Sequence, residues 1–255
     1  MKYSIILPYC KRKNYLYNTL ISFKHHYNRN DYEVVIIEDY KNYEDTEEHI
    51  ALHHLIAKFR GSINISWFYS ILKDCYNPAP LFNLGAQLAV GKFFVISNPE
   101  CFHSVDILSG LDEEFDVDEN CYVICACEEV INPEGKIIRF ENFKDFNFVH
   151  RIWFQHSKHN NRGFHFCSAI SKDKYHQIDG FDDKFALGAA YDDNDFRDNV
   201  IYHHIPIKLR DDLVACHMRH GSDIYIPNIK ELVEINKRYY FDKLNKRNIK
   251  LEFNQ

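Results

Sequence analysis

The sequence predicts an α/β fold, a mixed and mostly parallel sheet flanked by helices, folded as a single domain. Two observations carry this expectation. Over the first hundred residues apolar runs alternate with amphipathic stretches, and that alternation implies parallel strand pairing through right-handed crossovers. The runs are also apolar throughout rather than at every second residue, as strands covered on both faces are.

Taken in order, Tyr3 to Leu7 (YSIIL) reads as a buried strand ended by Pro8. Leu16, Leu20 and Phe23 then recur at helical spacing, which predicts a helix over roughly residues 13 to 27. Tyr32 to Glu38 (YEVVIIE) is the second strand, Ile50, Leu55, Ile56 and Phe59 mark a second helix, and Ile63 to Trp67 a third strand. Pro80 to Val90 reads as a helix and Phe93 to Ser97 as the next strand. In the second half, Cys121 to Val130 and Lys136 to Phe140 flank Asn132-Pro-Glu-Gly135, a hairpin signal. Phe143 to His165, aromatic and His-rich, suits a mobile segment facing substrate. Phe166 to Ser171 and Leu213 to Met218 read as strands, and Asp192 to Ile201 and Ile229 to Tyr240 as helices. No flexible linker separates the halves, so a single domain is expected over residues 1–255.

Composition narrows the function. The chain has 255 residues, with 45% hydrophobic and 27% charged, an ordinary soluble profile. The formal charge is -6, which argues against nucleic acid as the ligand, because that binding needs a basic surface to neutralise phosphates. The eight cysteines form no CxxC pair and several lie inside apolar runs, so buried free thiols in a reducing compartment are expected rather than disulfides or a zinc knuckle. No signal-peptide pattern opens the sequence and no apolar run reaches membrane-spanning length. A soluble, cytoplasmic protein is the expectation, with peripheral membrane association left open.

Ligands of parallel sheets gather beyond the carboxyl ends of the strands, which directs attention to Tyr9 to Arg12, Asp39, and Asn98 to Glu100. A carboxylate at Asp39 can accept from a base or ribose, or simply cap a loop. Asn98-Pro-Glu100 places two side-chain oxygens where a diphosphate and its cation can be held, although, taken alone, an Asx-Pro turn with an exposed Glu is the better account. Gly180-Phe-Asp-Asp183 and Asp192-Asp-Asn-Asp195-Phe196 concentrate acids at a helix start. The helix dipole favours acids there, yet the number exceeds what capping requires, and a partly shielded Asp is a candidate general base. His217 and His220, in Cys216-His-Met-Arg-His220, offer imidazoles to a metal or to solvent.

In this order the pieces resemble the GT-A fold of family-2 glycosyltransferases. The opening YSIILPYCKR with Tyr15, Leu16 and Leu20 resembles that family's first strand, nucleotide loop and helix. Val34 to Asp39 resembles its second strand with paired acids, and Asn83-Leu-Gly85-Ala86 its Asn-x-Gly helix. Asn98-Pro-Glu100 falls where Asp-x-Asp is usual. Gly180-Phe-Asp and Asp192-Asp-Asn-Asp195, followed by Met218-Arg-His220, resemble the C-terminal region of the galactosyltransferase branch. The matched pieces run from about residue 3 to 220.

The resemblance implies a GT-A (Rossmann-like) domain with a nucleotide-sugar-binding half over about 1–110, an acceptor and catalytic half over about 111–225 and a C-terminal helix over about 226–255. It implies transfer of a hexose or N-acetylhexosamine from a UDP-sugar to the hydroxyl of a glycan, glycoprotein or other acceptor, with inversion and with Mn2+ or Mg2+. Pro8, Tyr9 and Asp39 would shape the uracil pocket, Asn98 would face the ribose, and Arg12 and Asn83 would complete the donor site. Glu100 and His220 would ligate the metal with His217 beside them, Asp193 would be the base and Asp192 would orient the acceptor. Three departures stand out: Asn98 replaces an acid, Asp192 a Glu, and Leu81-Phe82 an expected Arg. The rivals are a nucleotide-sugar-binding module without catalysis, a sugar nucleotidyltransferase and a metal-dependent hydrolase. Tyr9 to Asn14 lacks the glycines that a nucleotidyltransferase loop uses, and the His/Asp spacing is too sparse for the hydrolase.

Overall fold

A computed structural model describes residues 1–131, 142–220 and 228–247. The expected hairpin at Asn132 to Phe140 lies outside the described residues.

The first half follows the predicted alternation. Strands β1 (Tyr3–Tyr9), β2 (Tyr32–Glu38), β3 (Ile65–Tyr69) and β4 (Phe93–Ser97) are joined by helices α1 (Lys13–His26), α2 (Tyr40–Tyr43), α3 (Thr46–Phe59) and α4 (Ala79–Leu88). They pair in parallel in the order β3-β2-β1-β4. The chain winds outward from β1 to β3 and then returns to the other side of β1 at β4. This reversal opens a crevice at the carboxyl ends of β1 and β4.

The second half extends the same sheet with mixed polarity. β5 (Cys101–His103) and α5 (Ile107–Val117) precede β6 (Tyr122–Ile131), β7 (Val149–Gln155) and β8 (Cys167–Ser171); α6 (Lys172–Gln177), α7 (Asp192–Tyr202), β9 (Ile207–Met218) and α8 (Ile229–Arg247) follow. β8 joins β4 and β6 antiparallel, β9 runs parallel to β6, and β5 closes the far edge antiparallel to β9. Phe143 to His165, expected to be a mobile segment, instead contributes β7, an antiparallel partner of β6.

The apolar strands divide cleanly between two cores. Ile5, Leu7, Val34, Ile36 and Val95 face α1, α3 and α5, where they meet Leu16, Leu20, Leu52, Ile56 and Leu111. Ile6, Val35, Ile37, Phe94 and Ile96 face the other way, onto Phe82 and Ala86 of α4 and Phe196 and Val200 of α7. Alternate residues of one strand thus stabilise opposite layers, which is why both must be apolar. All eight cysteines are free thiols and all but Cys10 are buried.

Helix α8 anchors the second half through polar contacts. Lys243 Nζ donates to Asp182 (2.7 Å) and Asp195 (2.8 Å), Tyr239 donates to Asp182 (2.7 Å), and Tyr240 donates to Asp198 (2.5 Å). Two acids of the cluster, Asp182 and Asp195, together with Asp198 further along α7, therefore hold the fold together. Among the described residues no helix is long and apolar enough to cross a membrane.

Candidate functional site

A cleft of about 260 Å3 opens at the crevice between β1 and β4. Its walls come from the loop after β1 (Pro8, Tyr9, Cys10 and Arg12), from Asp39 and Lys41 after β2, and from Asn98, Pro99 and Glu100 after β4. A fourth wall, Cys75 to Pro78 with Leu81, precedes and begins α4. The strand-end rule located the first three walls.

The loops are held in conformations that extended chain does not supply. Lys11 has φ of 51°, and its backbone N–H is fixed by Asn42 Oδ1 at 2.8 Å. Asn42 in turn binds Glu38, which also accepts from Trp67 Nε1 (3.1 Å) and contacts His49 (3.0 Å). Of the paired acids ending β2, Glu38 is thus fully engaged in the framework, while Asp39 faces the cleft. Asp39 accepts from the Lys41 backbone N–H at 2.8 Å, and burial pushes its carboxyl above the usual range. Lys41 bridges the walls, donating to the Cys75 carbonyl (2.7 Å) and lying 4.2 Å from the Tyr76 ring centre.

One end of the cleft is a carboxylate–imidazole cluster. Glu100 is buried, with Oε1 against Arg12 Nη1 and at 3.6 and 3.7 Å from the Nε2 atoms of His217 and His220. β9 presents His217 opposite Cys101 of β5, which brings the two histidines to a residue distant in sequence. Burial alone would push the Glu100 carboxyl up; the two imidazoles and the Arg12 guanidinium together hold it well below its ordinary value. The ligand atoms of Glu100, His217 and His220 lie within 4.8 Å of one another. Ligands bound about 2.1 Å from one ion stand roughly 3.0 to 4.2 Å apart, and the 3.6 and 3.7 Å from Glu100 Oε1 to the two imidazoles fall in that range. Glu100 Oε2 is buried with no hydrogen-bond partner, a further acceptor for such an ion. Carboxylate with imidazole suits manganese or zinc better than magnesium. The exposed-Glu alternative for Asn98-Pro-Glu100 does not apply, since Glu100 is 4% exposed.

At the other end, Asn77 joins the cleft to the acid pair. Its Nδ2 donates to Asp192 Oδ1 at 2.8 Å, and its Oδ1 accepts from the first N–H of α4 at 3.0 Å. Ala190 and Tyr191 both adopt positive φ, 60° and 68°, a strained entry to α7 that costs of order 1–3 kcal/mol per residue. The Ala190 carbonyl is held by Asn236 Nδ2 of α8 at 2.9 Å. Beyond this entry Asp192 is held by Asn77, whereas Asp195 is held by Lys243 of α8. Asp193 Oδ1 makes a close ion-pair contact with His165 Nδ1 at 2.8 Å.

The two carboxyls are driven apart. Burial, and then the neighbouring Asp193 charge, push Asp192 up to about 6. Burial acts in the same direction on Asp193, but His165 outweighs it and holds that carboxyl below its ordinary value. A group whose folded pKa is raised stabilises below its unfolded pKa and loses that contribution as pH rises. Wild-type stability should therefore decline, through Asp192, between about pH 4 and pH 6. Asp192→Asn should remove that decline while keeping an oxygen for Asn77. Denaturant unfolding of both proteins at pH 4.5, 5.5 and 6.5 checks this, and parallel curves would refute it.

Most of the expected residues meet in this region: Pro8, Tyr9, Arg12, Asp39, Asn98 and Glu100 line the cleft, His217 and His220 meet Glu100, and Asp192 reaches it through Asn77. Asn83 does not line it. Its amide instead donates to the Phe181 carbonyl (2.8 Å) and Asp183 (2.6 Å), and its oxygen accepts from Tyr175 (2.7 Å) and the Phe181 N–H (2.9 Å). It pins the Gly180-Phe-Asp turn to α4. Sequence reasoning missed Asn77, Lys41, Tyr76 and His165; only the Asn77-Pro78 dipeptide carried a turn signal.

No known family model matches the sequence, and no curated protein matches it. Solved structures do. Residues 1–349 of S. aureus TarS in complex with UDP-GlcNAc superpose with a TM-score of 0.68 at 14% identity, covering 96% of this chain and 67% of that one. GalNAc-T7 with UDP, GalNAc and Mn2+ superposes with a TM-score of 0.62 at 11% identity, covering 100% of this chain and 52% of that one. Against another TarS 1–349 structure the chain spans 60% of the solved length. The shared architecture is the GT-A fold.

Proposed function

We propose that this chain is a hexosyltransferase-type glycosyltransferase that moves a hexose or N-acetylhexosamine from a UDP-sugar to an acceptor hydroxyl. One observation carries the reading: a single cleft at the sheet's reversal point is lined by Glu100, which His217 and His220 contact from behind, and by Asn77, which holds Asp192 of the acid pair. The solved neighbours of this fold that hold UDP, UDP-GlcNAc or UDP with Mn2+ support it.

In this reading residues 1–110 form the donor half, 111–225 the acceptor half, and α8 buttresses the latter. Pro8, Tyr9 and Asp39 receive the uracil edge and Asn98 the ribose. Glu100, His217 and His220 would hold a divalent cation, manganese or zinc by their donor chemistry, which when bound neutralises charge developing on the diphosphate. Arg12, on the same side of the cleft, adds a fixed positive charge. Asp193 accepts the acceptor proton as the acceptor oxygen attacks the anomeric carbon opposite the leaving diphosphate, giving inversion. An ionised carboxylate is a weak base, but the hydroxyl acidifies as its bond to carbon forms, so a late proton transfer suffices. Asp192, held by Asn77, orients the acceptor.

A second reading, a nucleotide-sugar-binding module without turnover, draws on Asn98 in place of an acid and on Arg12 against Glu100 where a cation would sit. One experiment separates the two. A panel of UDP-glucose, UDP-galactose, UDP-GlcNAc and UDP-GalNAc, with and without Mn2+, is screened for thermal stabilisation and for released UDP. At about 100 times Kd a ligand adds about 2.7 kcal/mol, a shift of several degrees. Stabilisation with Mn2+-dependent UDP release is the expected result. Stabilisation without release favours the binding module, and no stabilisation by any donor removes both.

A further inference from the structure

The structure assigns His165 the task of fixing the catalytic carboxylate: we infer that it is a positioning residue that holds Asp193 in the rotamer from which its outer oxygen meets the acceptor hydroxyl. The inference rests on the reading of Asp193 as the base and adds a residue to it. His165 lies just before β8, and its side chain is 5% exposed against 31% for Asp193. The imidazole therefore lies behind the carboxylate, and Asp193 is the member of the pair that a ligand reaches.

Three aromatic rings enclose the imidazole. Phe82 meets it edge-on at 5.4 Å between centres, Phe181 at 4.9 Å and Phe196 at 6.1 Å. A phenyl ring would fill this box without polar atoms to desolvate, so packing alone gives no reason for a histidine. The reason on the structure is the 2.8 Å contact of Nδ1 with Asp193 Oδ1, a charge contact whose geometry is not that of a hydrogen bond. The aromatic walls restrict the ring, and Phe181 and Phe196 are themselves fixed by the Asn83 bonds and by α7. A ring that cannot swing gives Asp193 one direction in which to point. The next residue, Phe166, packs 6.0 Å from the His217 ring, so one short stretch of chain registers the base against the cation end of the cleft.

The charged and titratable groups bearing on the pair come from each element around it. Asp192 and Arg197 share α7 with Asp193, and Tyr122 of β6, whose hydroxyl donates to Ser168 (2.9 Å), feels its charge. Arg197 is engaged by Asp198 (2.8 Å) and the Arg162 carbonyl (2.7 Å). Burial lowers the His165 pKa, but the adjacent Asp193 outweighs it and the net shift is upward, in keeping with an ionised pair.

The test compares wild type, His165→Phe, which keeps the ring packing, and His165→Asn, which restores a donor near the Nδ1 position. Melting temperature, donor affinity, and kcat from pH 5 to 9 are measured on each. His165→Phe should fold, bind donor within about 2-fold of wild type and lose about 10–100-fold in kcat, the usual cost of a misplaced reacting group. Its acidic limb should move to higher pH as Asp193 loses the partner that keeps it ionised, and His165→Asn should recover part of the rate. Unchanged kcat and an unchanged acidic limb in a folded His165→Phe would overturn the inference. Imidazole 15N titration in wild type and Asp193→Asn needs no turnover. A His165 pKa that falls on losing Asp193 supports the pair, and one that stays put refutes it. An inactive wild type with an intact pair would overturn the transfer reading instead.

Discussion

Asp193→Asn is expected to lower the transfer rate by about 10²- to 10⁴-fold, the usual contribution of a positioned general base, while leaving UDP-sugar affinity and melting temperature close to wild type. The side chain is partly exposed and, among the described residues, its one close ion-pair contact is with His165, so an amide of the same shape disturbs little packing. Removing its charge also relieves Asp192, whose carboxyl the neighbouring charge helps to push up. Calorimetric donor binding alongside UDP release separates the two effects. The control is Asp195→Asn, two residues further on, which removes the carboxylate held by Lys243 of α8. That variant should lose stability rather than chemistry. If Asp193→Asn turns over at full rate, the base lies elsewhere.

The contrast between these two aspartates shows what sequence can and cannot resolve. Asp192, Asp193 and Asp195 are equivalent as an acidic helix start, yet one is gripped by Asn77, one by His165 and one by Lys243. Those partners are far away in the chain and leave no local pattern. The parallel strands were legible because double-sided burial writes itself as continuous apolar sequence. β7 was not, because most of its residues are exposed and no alternation marks it. The two-turn spacing of Ile107, Leu108, Leu111 and Phe115 in α5 was there to be read, though the expectation passed over it. The strand-end rule located Tyr9 to Arg12, Asp39 and Glu100 because it is a rule about topology. Asn77 and Tyr76 enter the cleft from an irregular loop, and Lys41 from the four-residue helix α2, which is too short to show a periodicity. Asn83 was placed at the donor by resemblance alone, and its bonds all run to the Gly180-Phe-Asp turn and Tyr175.

Glu100→Gln should weaken Mn2+ binding by about 10²-fold or more, since a hard cation loses the one charged ligand among imidazoles, and should abolish Mn2+-dependent stabilisation by UDP. The signal of free Mn2+ in electron paramagnetic resonance reads the first effect without any turnover. The same change deprives Arg12 of its buried partner, so a stability loss of about 1–3 kcal/mol is expected as well. Arg12→Gln distinguishes the roles of the two residues. Arg12 competes with a cation for Glu100 Oε1, so its removal should leave Mn2+ binding intact or tighter while weakening UDP, whose diphosphate loses a fixed positive charge. If instead Glu100→Gln leaves UDP binding unchanged with and without Mn2+, the Arg12 guanidinium alone serves the diphosphate. The carboxylate–imidazole cluster would then be a structural tie between β4, β5 and β9, and the cleft would bind nucleotide sugars without a cation.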